Sequence, residues 1–190
     1  SKYFPWLVEW IGMGRDLTPG RAYTLFELPK GARAGVNICF EDVFPEISRN
    51  FTLRGANLLM TVTNDSWYNE SAGSRQHLSH VIFRAVECRR PFLRSGNNSD
   101  TCMISPRGEI LGVLKNEQTG SPFVADTMRF ELPVFDGWGE TFYTRYGNLF
   151  AFCCVIFTTG ASAVLFGRWF RQKRRQLEAI STRHTEDHAP

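Results

Sequence analysis

Apolar positions recur along this chain with two different periods. Leu78, Val81, Ile82, Ala85 and Val86 follow an i, i+3, i+4, i+7, i+8 stripe, so residues 74–90 are predicted to form an amphipathic helix that Pro91 stops. Residues 56–63 (ANLLMTVT) are an almost continuous apolar run of strand length, the pattern of a strand covered on both faces. The shorter runs 34–39 (AGVNIC), 92–96 and 101–105 also read as strands. Pro106-Arg107-Gly108-Glu109 is a turn signal that pairs residues 110–114 back as a hairpin. Residues 42–54 read as a helix with Pro45 in its first turn, and residues 123–127 as one more strand. Residues 1–30, broken by Gly12, Gly14, Pro19, Gly20 and Pro29, read as irregular. Strand, helix, strand, helix and then a meander predict an α/β layered fold.

One segment has neither period. Residues 147–166 (GNLFAFCCVIFTTGASAVLF) carry no formal charge and, at about 1.5 Å per residue, span a hydrocarbon core of about 30 Å. Arg168, Arg171, Lys173, Arg174 and Arg175 follow directly, a cluster that marks the end of a membrane span rather than of a buried helix. By the positive-inside rule this tail is cytoplasmic and the preceding residues lie on the outer side. The start SKYFPWLVEW has no signal-peptide design, so export implies that the chain is the C-terminal part of a longer membrane protein. Trp138, Phe142, Tyr143 and Tyr146, in the aromatic stretch 130–146, suit either an interfacial belt or an ordinary surface loop.

Composition then matters mainly through where the charge lies. The 22 Lys/Arg and 19 Asp/Glu give a net charge of +3, and residues 168–190 hold six of the former and three of the latter. The remainder is neutral, which removes the argument for a nucleic-acid partner. An apolar content of 43% excludes a disordered chain, and five Cys without a C-x-x-C pair exclude a disulfide scaffold or a zinc ribbon. Cys88, Cys102, Cys153 and Cys154 read as packing residues.

Cys39 differs, because it closes a strand and precedes Phe40-Glu41-Asp42 at a helix start. Backbone N–H groups and the helix dipole there favour a thiolate nucleophile, and the Phe40 N–H is placed to hold an oxyanion. Spacing alone favours the plainer reading of Cys39 as a buried strand residue. His77 and His80, at i and i+3, stand as solvated helix residues, as a Cys–His partner, or as two metal ligands.

An ordered series of motifs carries the reading further. Ile38-Cys39-Phe40-Glu41 resembles the nucleophile motif of the nitrilase (carbon–nitrogen hydrolase) superfamily. More closely, it is similar to the C-Y-E form of the apolipoprotein N-acyltransferase family, with Phe40 in place of Tyr. Thr63-Asn64-Asp65-Ser66-Trp67-Tyr68 resembles that family's S-N-D-A-W-F segment, and Gln76-His77 its Q-H pair. Arg84-Ala85-Val86-Glu87 and Arg90-Pro91-Phe92-Leu93-Arg94 resemble its R-A-x-E and R-P-x-x-R stretches. Asn97-Asn98, Pro106-Arg107-Gly108 and Tyr143-Thr144-Arg145-Tyr146-Gly147 come next in order, so the similarity covers residues 12–175.

The resemblance implies a nitrilase-like α-β-β-α sandwich, partial in this chain, followed by one C-terminal transmembrane helix. Residues 1–128 would belong to the catalytic domain, 129–146 to a juxtamembrane linker, 147–167 to the membrane helix and 168–190 to a cytoplasmic tail. The implied setting is a bacterial inner membrane with the domain on the periplasmic side. The implied reaction moves an acyl chain from a membrane phospholipid to the N-terminal diacylglyceryl-cysteine of a lipoprotein, through a thioester and without cofactor or metal. The implied site has Cys39 as nucleophile, Glu41 as an orienting carboxylate, the Phe40 N–H as oxyanion donor, and Asn64, Asp65, Trp67 and Tyr68 against substrate. The superfamily also needs a Glu base and a Lys N-terminal to the Cys. Lys2, Lys30, Glu9 and Glu27 lie in none of the corresponding motifs, and residues 6–20 resemble the segment immediately C-terminal to those motifs. Residues 1–190 alone are therefore expected to show no turnover. A membrane-anchored amidase and a degenerate, non-catalytic membrane domain remain as alternatives.

Overall fold

Among the described residues, six strands form one sheet in chain order, β1 (Leu25–Leu28), β2 (Ala32–Ile38), β3 (Leu58–Asn64), β4 (Phe92–Asn97), β5 (Cys102–Ile104) and β6 (Ile110–Val113). The chain is seen in a computed structural model that describes residues 20–69, 71–131 and 136–186. Strands β2, β3 and β4 run parallel, and the flanking pairs are antiparallel. The two parallel steps are crossed by helices α1 (Pro45–Leu53) and α2 (Gly73–Cys88). Right-handed crossovers in one direction place both helices on the same sheet face. The core lies there, where Phe51 of α1 and Leu78, Val81 and Ala85 of α2 meet Leu59, Phe92 and Ile104 of the sheet. Gly35 makes this approach possible, since a Cβ at that position would sit 2.5 Å from Phe51.

Alternation along the strands assigns the second face. Phe26, Ile38 and Val62 point away from the helices and are exposed, with Met60 and Leu93 partly covered. The described residues thus form one sheet and one helical layer of the expected sandwich, with an apolar face where a second sheet would pack.

Three local expectations are corrected. Residues 25–28, read as irregular, form β1, because the tight turn Pro29–Gly31, with Lys30 at φ 61°, brings a strand too short to show alternation back along β2. The helix expected over 42–54 begins only at Pro45. Phe44 is extended (φ −90°, ψ 106°), as the residue before a proline tends to be, and Cys39–Val43 form a separate 3-10 turn. Residues 123–127 form no strand, since local bonds such as Val124 N–H to the Pro122 carbonyl and Thr127 N–H to Asp126 replace a ladder.

Within the first compact unit, Ser1–Thr144, the start of helix α3 (Phe142–Tyr146) is tied to the helical layer. Arg49 donates to the Thr144 carbonyl at 2.8 Å, and Thr144 donates to the Glu87 carbonyl at 3.2 Å. The second unit, Arg145–Pro190, is dominated by helix α4 (Leu149–Glu186). Its segment Leu149–Arg174 is long and apolar enough to cross a membrane, and its most apolar stretch is unburied. Thr158 donates to the Cys154 carbonyl at 2.8 Å, so this polar side chain is satisfied within the helix itself.

Candidate active site

The helical face of the sheet changes character along the strands. Gly35, Leu59 and Phe92 are followed, two and four residues on, by Asn37, Thr61, Thr63 and Arg94, all buried. The apolar core thereby passes into a buried polar layer beneath the carboxyl ends of β2, β3 and β4, where open parallel sheets place their ligands.

Cys39 stands at the end of β2 with φ 52°, a left-handed conformation costly for a residue with a Cβ. Cys39 is partly exposed, and its Sγ lies 3.3 Å from Thr63 Oγ1, within hydrogen-bond reach. The next two acids point in different directions. Glu41 reaches back to accept the Ile38 N–H at 2.8 Å, closing the turn around Cys39. Asp42 is fully buried and faces α2. Phe40 is the second residue of the 3-10 turn, where a helical N–H has no acceptor within its own helix.

His77 of α2 is 3% exposed and lies between two carboxylates, with Nε2 2.9 Å from Asp42 and Nδ1 3.0 Å from Asp65. An imidazolium can donate from both ring nitrogens, and the two flanking carboxylates favour that charged form. Burial works against that charge. Hydrogen bonds and charge from Asp42, and then from Asp65, outweigh it and hold His77 above the ordinary histidine value. Asp65 is 1% exposed and collects four donors, Thr63 at 2.9 Å, His77, Ser99 at 2.7 Å and Arg94 at 2.5 Å. Burial pushes its carboxyl up, but Ser99, the Arg94 charge and hydrogen bond, and His77 together bring it below the usual carboxylate value. Arg94 is itself fully buried and also donates to the Asp100 carbonyl. Asp42, Asp65, His77 and Arg94 sum to zero charge only with His77 protonated.

The remaining motif residues brace this arrangement. Arg84 donates to the Val43 carbonyl at 3.0 Å and is gripped by both oxygens of Glu87, so the R-A-V-E segment clamps the turn that carries Cys39. Asn64 accepts from Ser66 and from Asn97, fixing the loop after β3 to the end of β4. Trp67 projects from that loop at 83% exposure, while the Tyr68 ring lies 6.5 Å from the His77 ring. The Phe40 ring lies tilted 5.4 Å from the His77 ring.

The structure therefore gathers Cys39, Phe40, Glu41, Asn64 and Trp67 at one end of the sheet. Asp65, expected against substrate, lies beneath them. The thiol partner of Cys39 is Thr63 rather than either histidine. Among the described residues, no group of three or more His, Cys, Asp or Glu side chains is arranged to hold a metal ion. Lys30 and Glu27 precede β2 whereas Cys39 comes after it, roughly 20 Å away at about 3.3 Å per strand residue. Lys2 and Glu9 lie outside the described residues.

His77 and Asp65 give stability opposite dependences on pH. The His77 contribution is complete below 6.5 and is lost as pH rises through its higher folded value. That of Asp65 is complete above 3.8 and is lost as pH falls through its lower folded value. The melting-temperature gap between the parent and His77→Gln is therefore expected to be widest between those limits and to narrow above pH 6.5. A gap that widens with rising pH contradicts the imidazolium assignment.

Residues 6–126 match the carbon-nitrogen hydrolase family, and the chain belongs to it. The relatives it resembles narrow that class. It is 36% identical to "Apolipoprotein N-acyltransferase" of Geobacter metallireducens over 88% of this chain and 30% of that protein. It is 37% identical to the protein of the same name from Thermotoga maritima, over 73% of this chain and 26% of that one. The chain thus spans less than a third of the length of these curated relatives. Among solved structures, Saccharomyces cerevisiae Nit3, a member of branch 10 of the nitrilase superfamily, is 22% identical with a TM-score of 0.42, covering 52% of this chain and 38% of that one.

Proposed function

We propose that this chain supplies the nucleophile of a membrane N-acyltransferase that matures bacterial lipoproteins. The observation that carries the proposal is Cys39, a partly exposed residue held at φ 52° on a clamped turn at the carboxyl end of β2. The names of the relatives supply the acceptor class, and the surroundings of the thiol suit a lipid donor. Ile38, Phe40 and Trp67 are 64%, 51% and 83% exposed, so large apolar side chains flank the nucleophile at the surface.

In the proposed reaction Cys39 Sγ attacks the ester carbonyl of a phospholipid. The Phe40 N–H receives the developing oxyanion while Glu41 keeps the turn closed. The carbonyl–oxygen bond breaks, the thiol proton ends on the departing lysophospholipid hydroxyl, and Cys39 carries a thioester. The α-amino group of a diacylglyceryl-cysteine then attacks that thioester. An amide forms, and the proton released by the amine restores the thiol. Asn64, Trp67 and Tyr68 border the entry for the lipid chains, and Asp65 supports them from below. Residues 1–128 act as part of the catalytic domain on the periplasmic side, 129–146 as the link, 147–167 as the inner-membrane helix and 168–190 as the cytoplasmic tail.

Thiol reactivity tests the assignment of the nucleophile. Burial pushes Cys88 and Cys102 up to about 11. In the complete protein at neutral pH, iodoacetamide is expected to modify Cys39 on the order of a hundredfold faster than either of them. Comparable rates would remove Cys39 as the nucleophile.

A further inference from the structure

Thr63 Oγ1 carries one proton and lies within reach of two acceptors, Cys39 Sγ at 3.3 Å and Asp65 Oδ1 at 2.9 Å. It can serve only one of them at a time. Asp65 does not depend on this bond, because His77, Ser99 and Arg94 already donate to it. The sulfur has no comparable set of donors: among the described residues, the hydrogen bond recorded to Cys39 Sγ is the one from Thr63.

We propose that Thr63 is a two-position donor that turns from Asp65 to Cys39 when the sulfur carries negative charge, and that the Asp65–His77–Asp42 bridge holds donor and nucleophile at this spacing. The proposal rests on Cys39 being the nucleophile and adds the group that stabilises its reactive form. The bridge is suited to the task because its ends fall on the two elements that must stay in register. Asp65 comes directly after β3, which carries Thr63, and Asp42 lies in the turn that begins with Cys39. His77, from α2, joins them.

The turn of the hydroxyl is also inexpensive. With Thr63 directed at Asp65, that carboxylate has four donors; with Thr63 directed at Cys39, it keeps three, including the Arg94 and His77 cations. Each position leaves every charge in the buried layer paired. The charged groups around the bridge are Asp42 from the turn, Asp65 from the end of β3, Arg94 from β4, and Arg84, held by Glu87, from α2. Glu41 is engaged at the Ile38 N–H on the outer side of the turn. When the sulfur is acylated it is neutral, the hydroxyl returns to Asp65, and the thioester carbonyl is left to the Phe40 N–H.

The test is the pH profile of Cys39 alkylation by iodoacetamide in the complete, detergent-solubilised protein, read peptide by peptide by mass spectrometry. Thr63→Val removes the hydroxyl and keeps the shape. It is expected to slow alkylation about tenfold at neutral pH and to move the profile about one unit higher, with the alkaline plateau unchanged. Thr63→Ser is expected to restore the parent profile. His77→Gln, acting through Asp65, is expected to move it in the same direction by less. A purely structural role for Thr63 would instead lower the rate at every pH, the plateau included, and would overturn the proposal. So would a Thr63→Val profile that superimposes on a fast parent. A parent in which Cys39 reacts no faster than Cys88 overturns the nucleophile assignment and this inference with it.

Discussion

Cys39→Ala in the complete, membrane-embedded protein is expected to lower acyl transfer from phospholipid to a diacylglyceryl peptide by about 10⁴-fold or more. The size of the effect comes from the role, since alanine leaves no atom to carry the acyl group between donor and acceptor. Oxyanion donors alone cannot replace a covalent intermediate. The fold should tolerate the change: the side chain is partly exposed, its recorded hydrogen bond is one from Thr63, and Thr63 retains Asp65 as an acceptor. The variant is therefore expected to melt close to the parent temperature while losing activity. Transfer rate and melting temperature, measured on one preparation, separate a lost nucleophile from a lost fold.

Asp65→Ala should do the reverse and act first on stability. It removes the carboxylate that offsets two buried cations, Arg94 and His77, and takes the acceptor from Thr63 and Ser99 at once. Breaking one partner of a buried ion pair costs about 3–5 kcal/mol, because the remaining charge stays in a low-dielectric site. Against a typical net stability of about 5–15 kcal/mol, that is a large fraction. A melting temperature many degrees below the parent, or failure to accumulate folded protein in the membrane, is the expected result. An Asp65→Ala protein that melts with the parent would show that the buried layer does not support the nucleophile turn.

These two residues mark what could be read from the sequence and what could not. Cys39 stood out because it closes a strand pattern and opens the ordered motif series, although the helix expected directly after it begins only at Pro45. The helix containing Leu78 and Val81, the apolar run of β3 and the β5–β6 hairpin were legible for the same reason. The support under Cys39 was not, because it joins residues far apart in sequence. Asp42 and His77 are separated by 35 positions, Asp65 and Arg94 by 29. Individually each is an ordinary polar residue.

A weaker signal was nevertheless present. Arg94 alternates in register with Phe92, and His77 lies one turn before Val81 and two before Ala85, so both are polar residues at core-facing positions. A charged residue there implies a buried partner without naming it. The 3-10 turn was missed because a proline is tolerated in the first turn of a helix, whereas Pro45 holds Phe44 extended and itself begins the helix. β1 was missed because four residues leave too little alternation to read.

Whether Cys39 carries the acyl group is read most directly from the mass of the Cys39 peptide after the complete protein is incubated with phospholipid and no acceptor. An added acyl chain is expected on Cys39, released by neutral hydroxylamine as a thioester and discharged on addition of a diacylglyceryl-cysteine peptide. Acyl transfer that proceeds without acylation of Cys39, or an adduct on another residue that persists in Cys39→Ala, would contradict that expectation.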